Sequence, residues 1–270
     1  MSRTAAPTNA EQLLVRTDQA DGCTTLLLNA PGKLNALSGA MLDALEAALG
    51  ALAQDEACRV ILLRGAGRAF CAGHDLAEMM ALQDAAQHRE LFARCSRLML
   101  KIQQQPQPVI ACVEGVATAA GCQLVAACDL AYASDAARFA VSGINLGLFC
   151  ATPAVALSRN VGRKAALEML LTGEFISAQR AEQLGLINAA VPADELDGLI
   201  EAKVAAITAK DGGALAEGKR LFYRQLETGS AAAYQMAGAS MACGMQQAAA
   251  QDGIGGFLAA KAAPKASKSA

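Results

Sequence analysis

The sequence lacks the residue patterns that bind metal ions. It contains only two histidines, His74 and His88, and none of its nine cysteines forms a Cys-x-x-Cys pair. Closely spaced cysteines and histidines are the usual signature of a zinc site, so we expect no metal. We interpret the cysteines as reduced and mostly buried, which is typical of a cytoplasmic protein.

Basic clusters and long apolar segments are missing as well. The 270 residues include 23 lysines and arginines against 25 aspartates and glutamates, which does not favour a surface that follows a phosphate backbone. Residues 109–132 are the longest weakly polar stretch, but Glu114, Gln123 and Asp129 make it too polar to span a membrane. The start of the chain has no apolar core of a secretory signal. We therefore expect a cytoplasmic protein with neither a nucleic-acid nor a membrane partner.

The common catalytic and nucleotide-binding motifs are incomplete or absent. Residues 65–70 begin like a dinucleotide-binding fingerprint but lack its third glycine. Residues 213–219 begin like a phosphate-binding loop, yet Arg220 stands where serine or threonine is needed. There is no Gly-x-Ser-x-Gly elbow and no His-Glu-x-x-His pair. The sequence therefore does not indicate any of these sites.

What the sequence does contain is an alternation of short strands and helices. Residues 24–28 predict a strand, and residues 38–53 predict a helix with Ser38 as its N-cap, because leucines recur at helical spacing. Further strands are predicted at 60–63, 109–113, 130–133, 138–140 and 187–191, and further helices at 82–104 and from about residue 153 onward. The alternation is typical of an α/β core that is followed by a helical C-terminal portion.

The domain organisation follows from the same pattern. We place one core at residues 12–200 and a helical region at residues 201–262. The ends, residues 1–11 and 263–270, are rich in small residues and lysine, and we predict that they are flexible tails.

Two segments of small residues share one local pattern. Residues 70–76 and 115–123 each follow a strand and open a helix. Small side chains let a ligand approach the backbone, and a helix N-terminus offers unpaired N–H groups and a positive dipole end. Two such termini facing each other would stabilise a developing negative charge. The alternative interpretation, that both are tight packing turns, stays open from this pattern alone.

Together with other segments in the same order, these turns resemble the crotonase, or enoyl-CoA hydratase/isomerase, superfamily over residues 13–261. Within it, the chain is most similar to the enoyl-CoA hydratase domain subgroup, through residues 119–123 and 147–150. The matching pieces are 28–29, 33–38, 70–76, 108–115, 121–124, 128–130, 171–174, 177–178, 185–187, Phe257 and Lys261.

The resemblance implies a fold and an assembly. The fold would be a spiral of ββα units with a helical C-terminal trimerisation region. The protein would then be a homotrimer, or a hexamer formed by a dimer of trimers.

The resemblance also implies a lyase or isomerase of fatty acid metabolism that binds an acyl-CoA thioester. The backbone N–H groups of His74 and Ala120 would polarise the thioester carbonyl. No cofactor would be tightly bound, because coenzyme A is part of the substrate. The positions that hold the coenzyme A moiety in the family fall on Lys33, Leu34, Ala36, Ala72, Asp75, Leu76 and Lys261.

The sequence departs from the family at the residues that handle protons. Hydratases of the superfamily use two glutamates, and these positions fall on Gln123 and Gly143. A glutamine amide cannot exchange a proton near neutral pH, so hydration is in doubt. The turn also reads Ala119-Ala120-Gly121 where many relatives have three glycines, and we expect alanine there only with a negative φ.

The reaction itself stays open. The groups that could replace the glutamates are His74, Glu114, Ser142, Cys150 and Thr152, although a packed Cys150 and a surface Glu114 are the favoured interpretations. One alternative function is a non-catalytic acyl-CoA-binding protein. Another is a different enolate reaction, which would be isomerisation, decarboxylation or thioester hydrolysis.

Overall fold

The computed structural model describes residues 12–262, so the tails predicted at 1–11 and 263–270 lie outside the described residues. The chain divides into two compact units, and the boundary falls between Lys210 and Asp211. The division predicted between residues 200 and 201 falls inside Leu196–Thr208, a helix of the first unit.

Ten strands form two sheets within the described residues. The first sheet has the order β1-β2-β3-β5-β7-β10, and its neighbours are parallel except for the β1–β2 pair. The second has the order β4-β6-β8-β9, and only its β8–β9 pair is antiparallel. The strands are β1 (Leu14–Asp18), β2 (Cys23–Leu28), β3 (Val60–Gly65), β4 (Ala69–Cys71), β5 (Val109–Val113), β6 (Val116–Thr118), β7 (Leu130–Ser134), β8 (Arg138–Ala140), β9 (Ile176–Ser177) and β10 (Ala189–Val191).

Eleven α-helices accompany the strands in the described part of the chain. Short 3-10 helices lie at Pro31–Lys33 and Ser142–Leu146. The α-helices are α1 (Gly39–Leu52), α2 (Leu76–Ala81), α3 (Ala85–Gln104), α4 (Ala120–Ala127), α5 (Ala151–Asn160), α6 (Arg163–Thr172), α7 (Ala178–Leu184), α8 (Leu196–Thr208), α9 (Gly212–Leu226), α10 (Ser230–Gly244) and α11 (Ala248–Ala262). None of those within residues 12–262 has the length and apolar composition needed to cross a bilayer.

The strands and helices repeat as ββα units. In each of the pairs β3–β4, β5–β6 and β7–β8, the first strand joins the first sheet and the second strand joins the second sheet. A helix or a helix pair then leads back to the next unit. This arrangement confirms the predicted α/β spiral of ββα units, and α9–α11 confirm the predicted helical C-terminal region.

The first sheet is buried on both faces because its strands carry apolar residues at alternate positions on each side. In β3, Ile61 and Leu63 face the main core, whereas Val60 and Leu62 face a second cluster. Helix α8 covers that second cluster with Leu196, Ile200 and Val204. The main core is completed by α3 and by α1, whose buried leucines confirm the helical spacing predicted for residues 38–53.

Some elements differ from the sequence-based expectations. The helix predicted at 82–104 begins only at Ala85, because the Asp84 carboxylate caps it and Leu82 ends the preceding helix. Strands β1, β4, β6 and β9 were not predicted. The cysteines behave as expected: all nine are free thiols, and all except Cys243 are buried.

Candidate functional site

Three neighbouring strand ends build the site. Strands β4, β6 and β8 are adjacent and parallel in the second sheet, so their carboxyl ends meet at one edge. The chain leaves these ends through residues 72–75, 119–120 and 142–143. The two turns of small residues therefore lie side by side, together with the segment that carries Gly143. Ligands commonly bind at such an edge of an α/β sheet.

A cavity of about 870 Å³ opens at this edge. Its walls are mostly apolar, and they include residues for which the sequence predicted no role: Met79, Met80, Phe92, Leu146, Leu148 and Phe149. The predicted site residues that line it are Lys33, Ala36, Ala72, His74, Asp75, Leu76, Ala120 and Gly143.

Two predicted residues of the first unit do not line the cavity. Leu34 is half-buried in the loop behind Lys33, and Gln123 is buried inside α4. Lys261 belongs to the second unit, where it is exposed in the last turn of α11.

The backbones of the two small-residue turns touch. A Cβ atom built on Gly73 would lie 3.0 Å from the Ala120 nitrogen and 2.9 Å from the Ala119 Cβ. One built on Gly121 would lie 2.0 Å from the Cys71 carbonyl oxygen. Only glycine permits both approaches, so the sequence pattern of small residues is explained by close packing between the turns.

The N–H groups predicted to polarise a carbonyl are unpaired. Among the hydrogen bonds of residues 12–262, neither the His74 nor the Ala120 N–H is a donor. Ala120 is the first residue of α4, where an α-helix has no internal acceptor for the N–H group. His74 directly precedes Asp75, the N-cap of α2. Two free donors therefore stand beside the cavity, on segments in direct contact.

Ala119 has an unusual backbone. Its φ is 50° and its ψ is −121°, which is a conformation that glycine adopts far more readily than alanine. The expectation that alanine requires a negative φ in this turn is therefore wrong. Contacts on both sides hold the conformation, because the Ala119 N–H donates to Ala140 and its carbonyl accepts the Gln123 N–H.

Asn35 holds together the backbone next to Lys33 and Ala36, a role that sequence reasoning missed. Its fully buried side chain accepts the Ala30 N–H at 2.9 Å and donates to the carbonyl oxygens of Ala66 and Ala69 at 2.9 and 2.7 Å. Leu34 and Asn35 both have positive φ values, 53° and 54°. Asparagine tolerates that conformation better than most residues, and this preference was the available signal.

Lys33 and Asp75 form an ion pair at the cavity entrance, with Nζ and Oδ2 3.0 Å apart. The same carboxylate caps α2 by accepting the N–H groups of Ala77 and Glu78. Lys33 is the largest influence among those that hold the pKa of Asp75 below its ordinary value. This carboxylate is therefore ionised, and its oxygens already have Lys33 and the start of α2 as partners.

Gln123 and Gly143, the two positions expected to correspond to the glutamates of hydratases, offer no group that exchanges a proton near neutral pH. Gln123 is 4% exposed, and its Oε1 has no hydrogen-bond partner among the described residues. The Gly143 N–H donates to the Cys150 Sγ at 3.3 Å. A Cβ on Gly143 would lie 2.7 Å from that sulfur and 2.7 Å from the Leu148 carbonyl oxygen, so the thiol and the backbone together fill the space of a side chain at position 143.

The groups considered as alternative acids or bases differ in how exposed they are and in whether they line the cavity. Cys150 is buried, and burial raises the pKa of its thiol, so the packed interpretation is confirmed. Glu114 is exposed and pairs with Arg64, as the surface interpretation predicted. Ser142 and Thr152 line the cavity, and the Ser142 hydroxyl is hydrogen-bonded to Thr118.

The His74 imidazole also lines the cavity. Its Nδ1 lies 3.4 Å from the Leu37 carbonyl oxygen, and its ring stands edge-on to Phe92 with centroids 5.5 Å apart. Burial lowers the pKa of this imidazole below its ordinary value.

Comparisons with known proteins identify the family. The sequence model of the enoyl-CoA hydratase/isomerase family matches residues 18–264. The human protein named enoyl-CoA hydratase domain-containing protein 3, mitochondrial, is 44% identical over 93% of this chain and 81% of its own length. A crystal structure of an enoyl-CoA hydratase from Mycobacterium smegmatis is 57% identical with a TM-score of 0.91, covering 94% of this chain and 99% of that one. The crystal structure of human enoyl-CoA hydratase domain-containing protein 3 has 42% identity and a TM-score of 0.89, over 94% and 100% of the two chains.

The expectation of a cytoplasmic location is wrong. Relatives from rat, mouse, zebrafish and human, at 43–44% identity, are named mitochondrial proteins. The expectation rested on reduced, buried cysteines. Such cysteines indicate a reducing compartment, and they do not distinguish one reducing compartment from another.

Proposed function

The chain belongs to the enoyl-CoA hydratase/isomerase family, and on that premise we propose that it binds an acyl-CoA thioester and stabilises its enolate. The thioester oxygen would accept the N–H groups of His74 and Ala120. The acyl chain would occupy the apolar cavity beside them. Coenzyme A enters as part of the substrate and not as a resident cofactor.

The observation that carries the proposal is the pair of unpaired N–H groups on touching segments beside an apolar cavity. Donors aimed at a developing negative charge are worth most where water is excluded, about 3–4 kcal/mol for each donor. Both donors are fixed by strand ends and a helix start, so they need no rearrangement when a carbonyl arrives.

Hydration of a double bond is not part of the proposal. Among the described residues that line the cavity, Asp75 is the only carboxylate, and it is committed to Lys33 and to the start of α2. Gln123 is buried away from the cavity and Gly143 has no side chain. A well-placed acid or base contributes about 10²–10⁴ in rate, and neither glutamate position supplies one.

A matched pair of glycine variants tests the oxyanion site. Gly73→Ala places a Cβ 3.0 Å from the Ala120 nitrogen at a φ of +93°. Gly67→Ala introduces similar strain, with a φ of +77° and a Cβ 2.9 Å from Pro31, but away from the cavity. We expect both variants to lose stability, and only Gly73→Ala to lose polarisation of the bound thioester.

The measurement is the carbonyl ¹³C shift of a labelled saturated acyl-CoA, free and bound, with calorimetric binding constants for the same ligand. A downfield shift in the wild type and in Gly67→Ala, reduced in Gly73→Ala, supports the proposal. A bound shift equal to the free one contradicts the oxyanion role. No binding of any acyl-CoA contradicts the ligand class.

The second candidate is a non-catalytic acyl-CoA-binding protein, which the empty glutamate positions favour. It would show binding and carbonyl polarisation without any turnover or exchange of substrate protons. A crotonyl-CoA hydration assay complements this test, because strong hydration that survives Gln123→Ala would contradict the absence of an acid–base pair.

We also propose that the protein assembles as a homotrimer or as a dimer of trimers through its second unit. Helices α9 and α10 bury no residue completely in the single chain. Large apolar side chains on α9–α11 are exposed, which soluble proteins usually cover with a partner. They include Phe222, Leu226, Tyr234, Met241 and Phe257. Light scattering after gel filtration tests this proposal, and a monomeric mass would contradict it.

A further inference from the structure

The two N–H groups of the proposed oxyanion site are held in different ways. Ala120 is the first residue of α4, so the helix fixes the direction of its N–H. His74 instead lies between β4 and α2 and follows Gly73, whose φ is +93°. Glycine permits backbone rotations that other residues do not, so the peptide group between Gly73 and His74 needs a restraint from elsewhere in the chain.

The restraint is a pair of hydrogen bonds to the loop that precedes α1. The Leu37 N–H donates to the Gly73 carbonyl oxygen at 2.7 Å, and the Ala72 N–H donates to the Leu34 carbonyl oxygen at 3.0 Å. The peptide bond between Gly73 and His74 is trans, so its carbonyl and its N–H point in opposite directions. The bond from Leu37 therefore fixes the direction of the His74 N–H.

The same bond also makes the His74 N–H a stronger donor. A peptide carbonyl that accepts a hydrogen bond draws electrons towards its oxygen, which leaves the N–H of that peptide group more positive. Hydrogen bonds in such a chain strengthen one another by about 10–30% each. Loss of the Leu37 contact would thus weaken the donor as well as free its direction.

Asn35 holds the loop in this position. Its side chain is fully buried, accepts the Ala30 N–H within the loop, and donates to the carbonyl oxygens of Ala66 and Ala69. Ala69 is the first residue of β4, the strand that leads into the turn at Gly73. Asn35 therefore ties the loop to the segment that carries the donor.

We propose that Asn35 is a positioning residue of the oxyanion site, which keeps the Leu37 N–H on the Gly73 carbonyl oxygen and thereby fixes the direction of the His74 N–H. Asn35 is not among the described residues that line the cavity, so it acts through the backbone without touching the ligand. The inference rests on the proposed function, because a fixed N–H is useful only if a thioester oxygen accepts it.

The test compares Asn35→Gly with the wild type. Glycine adopts the φ of 54° found at position 35, so the variant removes the three side-chain hydrogen bonds and keeps the backbone conformation accessible. The measurement is the carbonyl ¹³C shift of labelled butyryl-CoA at saturating ligand, where a weaker affinity does not enter. We expect the downfield shift on binding to fall by about half, since one of the two donors is no longer held.

Gln105→Ala is the control for a general loss of stability. Gln105 is also a buried amide, and it donates to the Leu49 carbonyl oxygen at 2.8 Å. It is not among the described residues that line the cavity. We expect this variant to unfold at a lower urea concentration than the wild type and to keep the full downfield shift of the bound carbonyl.

Hydrogen exchange of the Leu37 amide gives an independent measurement. In the wild type this amide should be protected, because it is bonded to the Gly73 carbonyl oxygen. In Asn35→Gly its exchange should become about tenfold faster, which corresponds to the loss of one hydrogen bond. An unprotected Leu37 amide in the wild type would overturn the proposal even if the variant does not fold.

Failure of this inference can be told apart from failure of the proposed function. A full downfield shift in Asn35→Gly overturns the role of Asn35 and leaves the oxyanion site intact. Equal reductions in Asn35→Gly and Gln105→Ala also overturn it, because they would reflect a general loosening of the fold. No downfield shift in the wild type overturns the proposed function, and this inference with it.

Discussion

Replacing Ala119 with glycine should relieve backbone strain without loss of the fold. Ala119 has a φ of 50° and a ψ of −121°, a region where a residue other than glycine costs about 1–3 kcal/mol. Two changes oppose the gain. Glycine has more freedom in the unfolded chain, worth about 0.4–1 kcal/mol, and deleting a half-buried methyl group costs less than about 0.8 kcal/mol.

A control substitution isolates the strain. Ala36 is also half-buried and also lines the cavity, but it is not one of the residues with positive φ. Ala36→Gly therefore also gains freedom in the unfolded chain and loses a methyl group, but it relieves no backbone strain. The two variants should differ in unfolding free energy by the strain alone, about 1–3 kcal/mol. For a unit of this size, each kcal/mol corresponds to about 2–4 °C in Tm.

Thermal unfolding followed by circular dichroism measures this difference. Ala119→Gly should melt above Ala36→Gly by about 2–12 °C, and Ala36→Gly should melt below the wild type. Equal losses in the two variants would refute the reasoning, because they would mean that Ala119 is not strained. The binding constant for an acyl-CoA, measured beside the Tm, reports whether the relieved backbone still presents the Ala120 N–H.

Three further outcomes are expected. Gly143→Ala should destabilise the fold, and Cys150→Ala in the same chain should recover part of the lost unfolding free energy. The coupling energy in a double-mutant cycle should be about 0.5–3 kcal/mol. Additive effects of the two substitutions would contradict the contact. Asn35→Ala should lower the unfolding free energy in urea by about 2–4 kcal/mol, because three hydrogen bonds are lost; a loss below about 1 kcal/mol would argue against its role. Lys33→Met should raise the pKa of Asp75 in an NMR titration. Since that pKa is lowered in the fold, the stabilisation by Asp75 is present above its unfolded pKa and disappears as the pH falls through the folded one. The variant should show a weaker pH dependence, because the N–H groups of Ala77 and Glu78 still lower the pKa.

The longer elements could be predicted because their apolar residues recur over several turns. Helix α1 begins at its Ser38 cap as expected, and α3 buries apolar residues at helical spacing, which are Leu91, Cys95, Leu98 and Ile102. Strands β4 and β6 were missed because three residues are too few to show a period. Strand β1 was missed because its sequence, Leu14–Asp18, belongs to a half-exposed edge strand.

Motif order predicted which backbone N–H groups would lie together, since it identifies the turns that end neighbouring strands. It could not predict what each side chain meets. The contact between Cys150 and Gly143 joins the 3-10 helix Ser142–Leu146 to the residue that precedes α5, and it depends on the fold of the turn between them, which no sequence period predicts. The unpaired Nε2 of His74 likewise depends on Leu37 and Phe92, which come from other parts of the chain.

The contact between Cys150 and Gly143 also bears on how the site can evolve. Any side chain at position 143 would meet both the Cys150 sulfur and the Leu148 carbonyl oxygen, each 2.7 Å from the place of its Cβ. A substitution there therefore needs a smaller residue at position 150 and also a shift of the backbone at Leu148. Neither change benefits the chemistry by itself, so we expect ancestral reconstruction to show position 143 changing only together with residues 148–150.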